Sequence, residues 1–198
     1  MEISTQAGLA RVEVDRPRTA SFLLVLTHGA GGGVASKDLL AVRDAGLALG
    51  GVVARVLQPY RVRGARAPGA PGPQDAAWLE VIGRLRADYP GLPLIQGGRS
   101  NGARVACRTA AAAGALAVIA LAFPLHPPGR PGQSRVPELR GTGTPVLVVN
   151  GERDPFGIPD QRDATRVVVL PGETHALSRA PAAVGAAVGE WLATLLSR

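Results

Sequence analysis

Apolar residues in this chain gather in short runs divided by glycine, proline and charge. Phe22–Thr27 (FLLVLT), Val52–Leu57, Leu94–Gln96, Ala117–Ala122, Val146–Asn150 and Val167–Leu170 are each too short for a helix. With Ala10–Val14 they predict seven strands. Runs such as FLLVL and VLVV are continuous instead of alternating, the pattern of strands covered on both faces. Between them, helical periodicity predicts helices over Lys37–Leu49, Gln74–Asp88, Asn101–Ala113 and Ala182–Leu196. In the second of these, Ala77, Trp78, Val81, Ile82 and Leu85 share one face, which reads as core. Strand and helix alternate along the chain, so the expected class is α/β with a mostly parallel sheet.

Two segments break the alternation. Tyr60–Pro73 and Leu125–Thr144 are rich in Pro, Gly and Arg and show neither period. Both leave the C-terminal end of an expected strand, where open α/β sheets bind ligands, and long irregular connections usually belong to a site. No internal repeat or shift in composition divides the chain, so residues 1–198 are expected to form a single domain.

Composition narrows the function classes. The net charge of +7 is carried almost wholly by arginine, because Lys37 is the only lysine. Aromatic residues make up only 4%, which argues against a nucleic-acid surface of interleaved bases and rings. The densest basic cluster, Arg61, Arg63 and Arg66, reads as a solvated loop or as an anion-attracting rim. The single cysteine, Cys107, excludes an intrachain disulfide and a thiolate metal site, and its helical setting suggests a small buried residue. The N-terminal stretch lacks the basic start and apolar core of a signal peptide, and no apolar run reaches bilayer length. A cytoplasmic protein without membrane contact is expected.

The chemistry begins at GGRSNGARVA, Gly97–Ala106, which fits Gly-x-Ser-x-Gly around Ser100. A strand-like run precedes it and a helical run follows, so Ser100 falls at a strand-to-helix turn. Gly98 and Gly102 remove side chains where a sharp elbow brings backbones together. Asn101 opens the helix and can aim its N–H at a developing oxyanion. A serine hydroxyl needs a base, and the base needs an orienting acid. Of the three histidines, His175 alone follows the last expected strand, where the order Ser, acid, His requires the base. The acid should leave a strand between Ser100 and His175. Asp154 in GERDPFG is the preferred candidate because Pro155 fixes the turn; Glu152, Asp160 and Asp163 are weaker ones.

The phrase THGAGG places a glycine run after an early strand, where glycines let backbone N–H groups approach a reacting oxygen. The Ala30 N–H is the expected partner of the Asn101 N–H, and His28 reads as a structural hydrogen-bonding residue. The same run fails as a phosphate loop: it lacks Gly-Lys-Ser/Thr, and Val34 occupies the third glycine position of Gly-x-Gly-x-x-Gly. No histidine cluster has ligand spacing, so neither a metal nor another cofactor is expected. Arg61 and His126 lie in the irregular segments as candidate substrate contacts, with packing or surface placement as the alternative.

Together, LTHGAGGG, QPYRVRGARAP, GGRSNGARVA, FPLHPPGRPG, NGERDPFG and ETHAL occur in order from residue 26 to 177. In these phrases the chain resembles small α/β-hydrolases, within the dienelactone-hydrolase-like branch that includes a testis-expressed eukaryotic protein and a histone acetyltransferase complex subunit. The resemblance implies a minimal α/β-hydrolase fold without a large lid domain. It also implies Ser100 as nucleophile, Asp154 as acid and His175 as base. Dienelactone hydrolases proper carry cysteine as nucleophile, so the serine here points away from a dienelactone. The expected activity is hydrolysis of a small ester or thioester through an acyl-enzyme. The alternative, implied by members that serve in protein complexes, is a catalytically idle scaffold for protein interactions.

Overall fold

The computed structural model describes residues 1–197. It explains first why the apolar runs are continuous. All six residues of the strand Phe22–Thr27 (β3) are buried. Leu24 and Leu26 pack into one apolar cluster with Leu39 and Val42 of α1 (Lys37–Ala48) and with Val184, Val188 and Trp191 of α6 (Pro181–Leu196). Leu23 and Val25 point the other way, toward Trp78, Val81 and Ile82 of α3 (Pro71–Asp88) and Val105 of α4 (Asn101–Ala113). A sheet with helices on both faces has no solvated side on which to place polar residues.

The other strands are β1 (Glu2–Thr5), β2 (Gly8–Asp15), β4 (Gly51–Leu57), β5 (Leu94–Arg99), β6 (Ala117–Leu121), β7 (Val146–Gly151) and β8 (Arg166–Leu170). They form one eight-stranded sheet in the order β1-β2-β4-β3-β5-β6-β7-β8. From β4 to β8 all neighbours are parallel, whereas β2 pairs antiparallel with both β1 and β4. From β3 the chain goes to β4 on one side and then to β5 on the other. The strand order therefore reverses between β3 and β5, and their C-terminal ends open a crevice.

The structure differs from the sequence expectation at three places. β1 has no counterpart among the seven expected strands, because four residues are too few to display alternation. The segments expected to be irregular each hold a helical turn, α2 (Pro59–Val62) and α5 (Val136–Arg140). Helix α3 begins at Pro71, three residues before the expected Gln74. All three helices carry proline in their first positions, where its missing N–H costs nothing. No described helix is long and apolar enough to cross a membrane.

Candidate active site

Ser100 stands between β5 and α4 with φ 53° and ψ −112°. A positive φ at a non-glycine residue costs about 1–3 kcal/mol and persists only where the surroundings enforce it. Here the surroundings are backbone. A Cβ added to Gly98 would lie 2.7 Å from the Gly102 carbonyl carbon and from the Thr27 oxygen. One added to Gly102 would lie 2.7 Å from the carbonyl oxygens of Thr27 and His28. The ends of β3, β5 and α4 thus touch at the elbow, and the Ser100 N–H is tied to the Leu121 carbonyl at 2.9 Å. Asn101 is the first residue of α4, so its N–H has no acceptor one turn earlier.

His175 lies on the connection from β8 to α6, which is anchored from three directions. The Arg153 N–H donates to the Glu173 carbonyl at 2.8 Å. The buried Glu173 carboxylate accepts the N–H groups of Arg179 and Ala180, capping the start of α6. Arg99, the residue before Ser100, donates from Nη2 to the His175 carbonyl at 2.8 Å. Its Nε is 3.0 Å from Oδ2 of the fully buried Asp38, a charge contact whose angle misses a hydrogen bond. Burial raises the Asp38 pKa, and the neighbouring Arg99 charge opposes that shift.

Held this way, His175 Nε2 is 2.8 Å from Ser100 Oγ and Nδ1 is 2.8 Å from Asp154 Oδ2. The Phe156 ring meets the imidazole edge-on, with centroids 4.5 Å apart at 75°. Asp154 follows β7, and its side chain is fully buried. Its Oδ1 accepts the Phe156 N–H at 2.9 Å, which turns Oδ2 toward His175. The other candidate acids are engaged elsewhere. Glu152 is exposed and accepts the Gly172 N–H, Asp160 caps the 3-10 turn Gln161–Asp163, and Asp163 pairs with Arg140.

His28 is buried and faces two backbone groups. Its Nε2 accepts the Gln58 N–H at 3.0 Å, so Nδ1 carries the proton and donates to the Gly29 carbonyl at 2.8 Å. Burial lowers its pKa to about 4 from the ordinary 6.5. A folded-state pKa below the unfolded one means that the unfolded chain binds the extra proton between these values. Stability is therefore full above pH 6.5 and falls as the pH drops toward 4, by about 3 kcal/mol at 1.36 kcal/mol per pH unit. Urea midpoints measured from pH 7 to 4 are expected to fall more steeply in the native protein than in His28→Asn. Parallel curves would show that His28 is not held neutral.

The site opens into a cavity of about 620 Å³. The loop Gly29–Gly32, Asn101, Ser100 and His175 form one wall, and Pro68, Pro124, Pro128 and Phe156 form apolar sides. Arg99, Arg104 and Arg135 complete the lining. Both segments expected to be irregular contribute, Pro68 from one and Pro124 to Arg135 from around the other. The Tyr60 hydroxyl donates to the Ala30 carbonyl at 2.9 Å, which braces the loop behind the Ala30 N–H.

Two expected substrate contacts are placed elsewhere. Arg61 does not line the cavity; its Nε donates to the Gly32 carbonyl at 2.9 Å and Nη1 to that of Ala65, so it braces the glycine loop from behind. His126 is also absent from the lining: Nδ1 is 3.0 Å from the Pro127 carbonyl oxygen, and its ring edge lies against Gly157. Sequence reasoning missed Arg99, Arg104, Arg135 and Phe156. Arg104, four residues after Ser100 and thus on the same helix face, was the one with a readable signal.

A family model described as alpha/beta hydrolase domain matches residues 20–177, most of the chain. The chain belongs to the alpha/beta hydrolase family. No curated protein matches it by sequence. Among solved structures of this fold, Est1E from Butyrivibrio proteoclasticus with bound ferulic acid superposes with a TM-score of 0.84 at 17% identity, each chain covered completely. A dienelactone hydrolase from Anabaena variabilis gives a TM-score of 0.74 at 19% identity, with 98% of this chain and 95% of that one covered. An α/β serine hydrolase without lid from Xanthomonas campestris gives 0.71 at 22% identity, covering 96% and 93%. At these identities the likeness is one of alpha/beta hydrolase fold, here in a compact form with no lid among the described residues.

Proposed function

We propose that this alpha/beta hydrolase is a serine hydrolase acting on a small ester or thioester. The observation that carries the reading is the hydrogen-bonded chain Asp154–His175–Ser100, ending on a strained serine at the wall of a cavity. In the first step the Ser100 Oγ–carbon bond forms while His175 Nε2 takes the hydroxyl proton. The N–H groups of Ala30 and Asn101 receive the oxyanion, and Asp154 stabilises the imidazolium. The tetrahedral intermediate collapses, the bond to the leaving oxygen or sulfur breaks, and His175 returns the proton to that group. Water then adds to the acyl carbon, again deprotonated by His175. Release of the acid restores the Ser100 hydroxyl.

The Ser100 backbone favours turnover over an idle scaffold. A scaffold has no use for a serine held at positive φ, where glycine would be more stable. A cytoplasmic setting belongs to the same proposal. The test is turnover of a panel of short-chain p-nitrophenyl esters and acyl thioesters by purified protein. Saturable hydrolysis of at least one class is expected, and no hydrolysis of either by folded protein would overturn the reading.

A further inference from the structure

We propose that Arg135 forms an anion subsite, and that the substrate is an ester or thioester bearing a free carboxylate remote from the scissile bond. This rests on the hydrolase reading and names its substrate class.

The argument is one of charge balance inside the cavity. Among the described residues its lining includes three guanidinium groups and no carboxylate. Two of them already have acidic partners behind the wall. Arg104 forks onto Glu138, with Nε–Oε2 at 2.8 Å and Nη2–Oε1 at 2.6 Å. Arg99 sits against the buried Asp38. Behind Arg104 the network continues from Glu138 to Arg108 at 3.6 Å and on to Asp75 at 2.6 Å, so two cations meet two anions.

Arg135 stands outside this balance. Among the described residues no carboxylate oxygen lies within 4.0 Å of its guanidinium. Its one side-chain hydrogen bond, from Nη1 to the Pro124 carbonyl, is long at 3.4 Å. Burial and then the adjacent Arg104 charge lower its pKa, and the Glu138 charge opposes that shift without reversing it. Nor is it a loose surface side chain. It is half-buried, its N–H is fixed to the Leu125 carbonyl at 2.7 Å, and it opens α5, whose Leu139 is fully packed.

A planar guanidinium presents paired N–H donors that match a carboxylate. A phosphate dianion would call for a second free cation, and Arg104 and Arg99 are committed. The apolar stretch of Pro124, Pro128 and Phe156 in the same lining suits a short aliphatic chain between carboxylate and ester.

The test compares kcat/KM for mono-p-nitrophenyl adipate with that for p-nitrophenyl hexanoate, a pair of equal chain length. The native protein is expected to favour the charged ester by roughly ten- to a hundred-fold, the range of a charged hydrogen bond. In a folded Arg135→Gln variant that ratio should collapse toward one, with partial return in Arg135→Lys. A native preference for the neutral ester, or a ratio unchanged by Arg135→Gln, overturns the proposal while leaving the hydrolase reading in place. A second measurement needs no turnover: calorimetric binding of monomethyl adipate to Ser100→Ala protein. Binding that disappears when Arg135→Gln is added supports the subsite even where neither nitrophenyl ester is hydrolysed. No binding to the Ser100→Ala protein overturns it.

Discussion

Ser100→Ala is expected to lower turnover by about a million-fold, the loss typical of removing the nucleophile from such a chain of groups. The size follows from the site's construction. The hydroxyl is the group His175 Nε2 reaches, at 2.8 Å, and among the described residues no cysteine or second serine lines the cavity to replace it. Alanine keeps a Cβ, so the substitution neither relieves the positive φ at position 100 nor disturbs the contacts of Gly98 and Gly102. The thermal midpoint should therefore stay close to the native value while kcat collapses. Steady-state kinetics beside a melting curve separate the two effects. Full activity in Ser100→Ala would remove the proposed mechanism.

Asp154→Asn is expected to cost about ten-thousand-fold in kcat, through the tautomer of His175 and not through any movement of it. Asp154 Oδ1 accepts the Phe156 N–H, which fixes which oxygen faces the imidazole. An asparagine that keeps this bond must turn its NH₂ toward His175 Nδ1. That nitrogen then becomes an acceptor, the ring proton moves to Nε2, and Nε2 loses the lone pair that takes the serine proton. Glu152→Gln is the control, because Glu152 is exposed and touches the Gly172 N–H instead. Equal losses in the two variants would show a general charge effect instead of a specific one.

How much of this was legible in the sequence depends on range. The strands Phe22–Thr27 and Val146–Gly151 announce themselves because burial on both faces leaves an unbroken apolar run. The elbow is legible because its steric demand falls on Gly98 and Gly102, two residues from Ser100 on either side. The positions of Asp154 and His175 after successive strands follow from a parallel sheet, which sends every strand end to the same edge. Short elements were less legible: Glu2–Thr5, Pro59–Val62 and Val136–Arg140 complete barely one turn or one alternation, so no period can register. Side-chain destinations were least legible of all. Arg61, Arg99, Arg104 and Arg135 look alike in sequence, yet one braces the glycine loop, two pair with carboxylates distant in the chain, and one pairs with no carboxylate among the described residues. Which of these an arginine becomes is decided by contacts 29 to 61 residues away in the first two cases, Gly32 for Arg61 and Asp38 for Arg99.

The central claim is that His175 activates Ser100, and covalent labelling tests it most directly. Folded protein would be exposed to a fluorophosphonate and digested, and the modified residue would be located by mass spectrometry. A single adduct on Ser100 is predicted, formed far more slowly in His175→Ala. A folded native protein that leaves Ser100 unmodified, or a His175→Ala variant labelled at the native rate, would contradict the account.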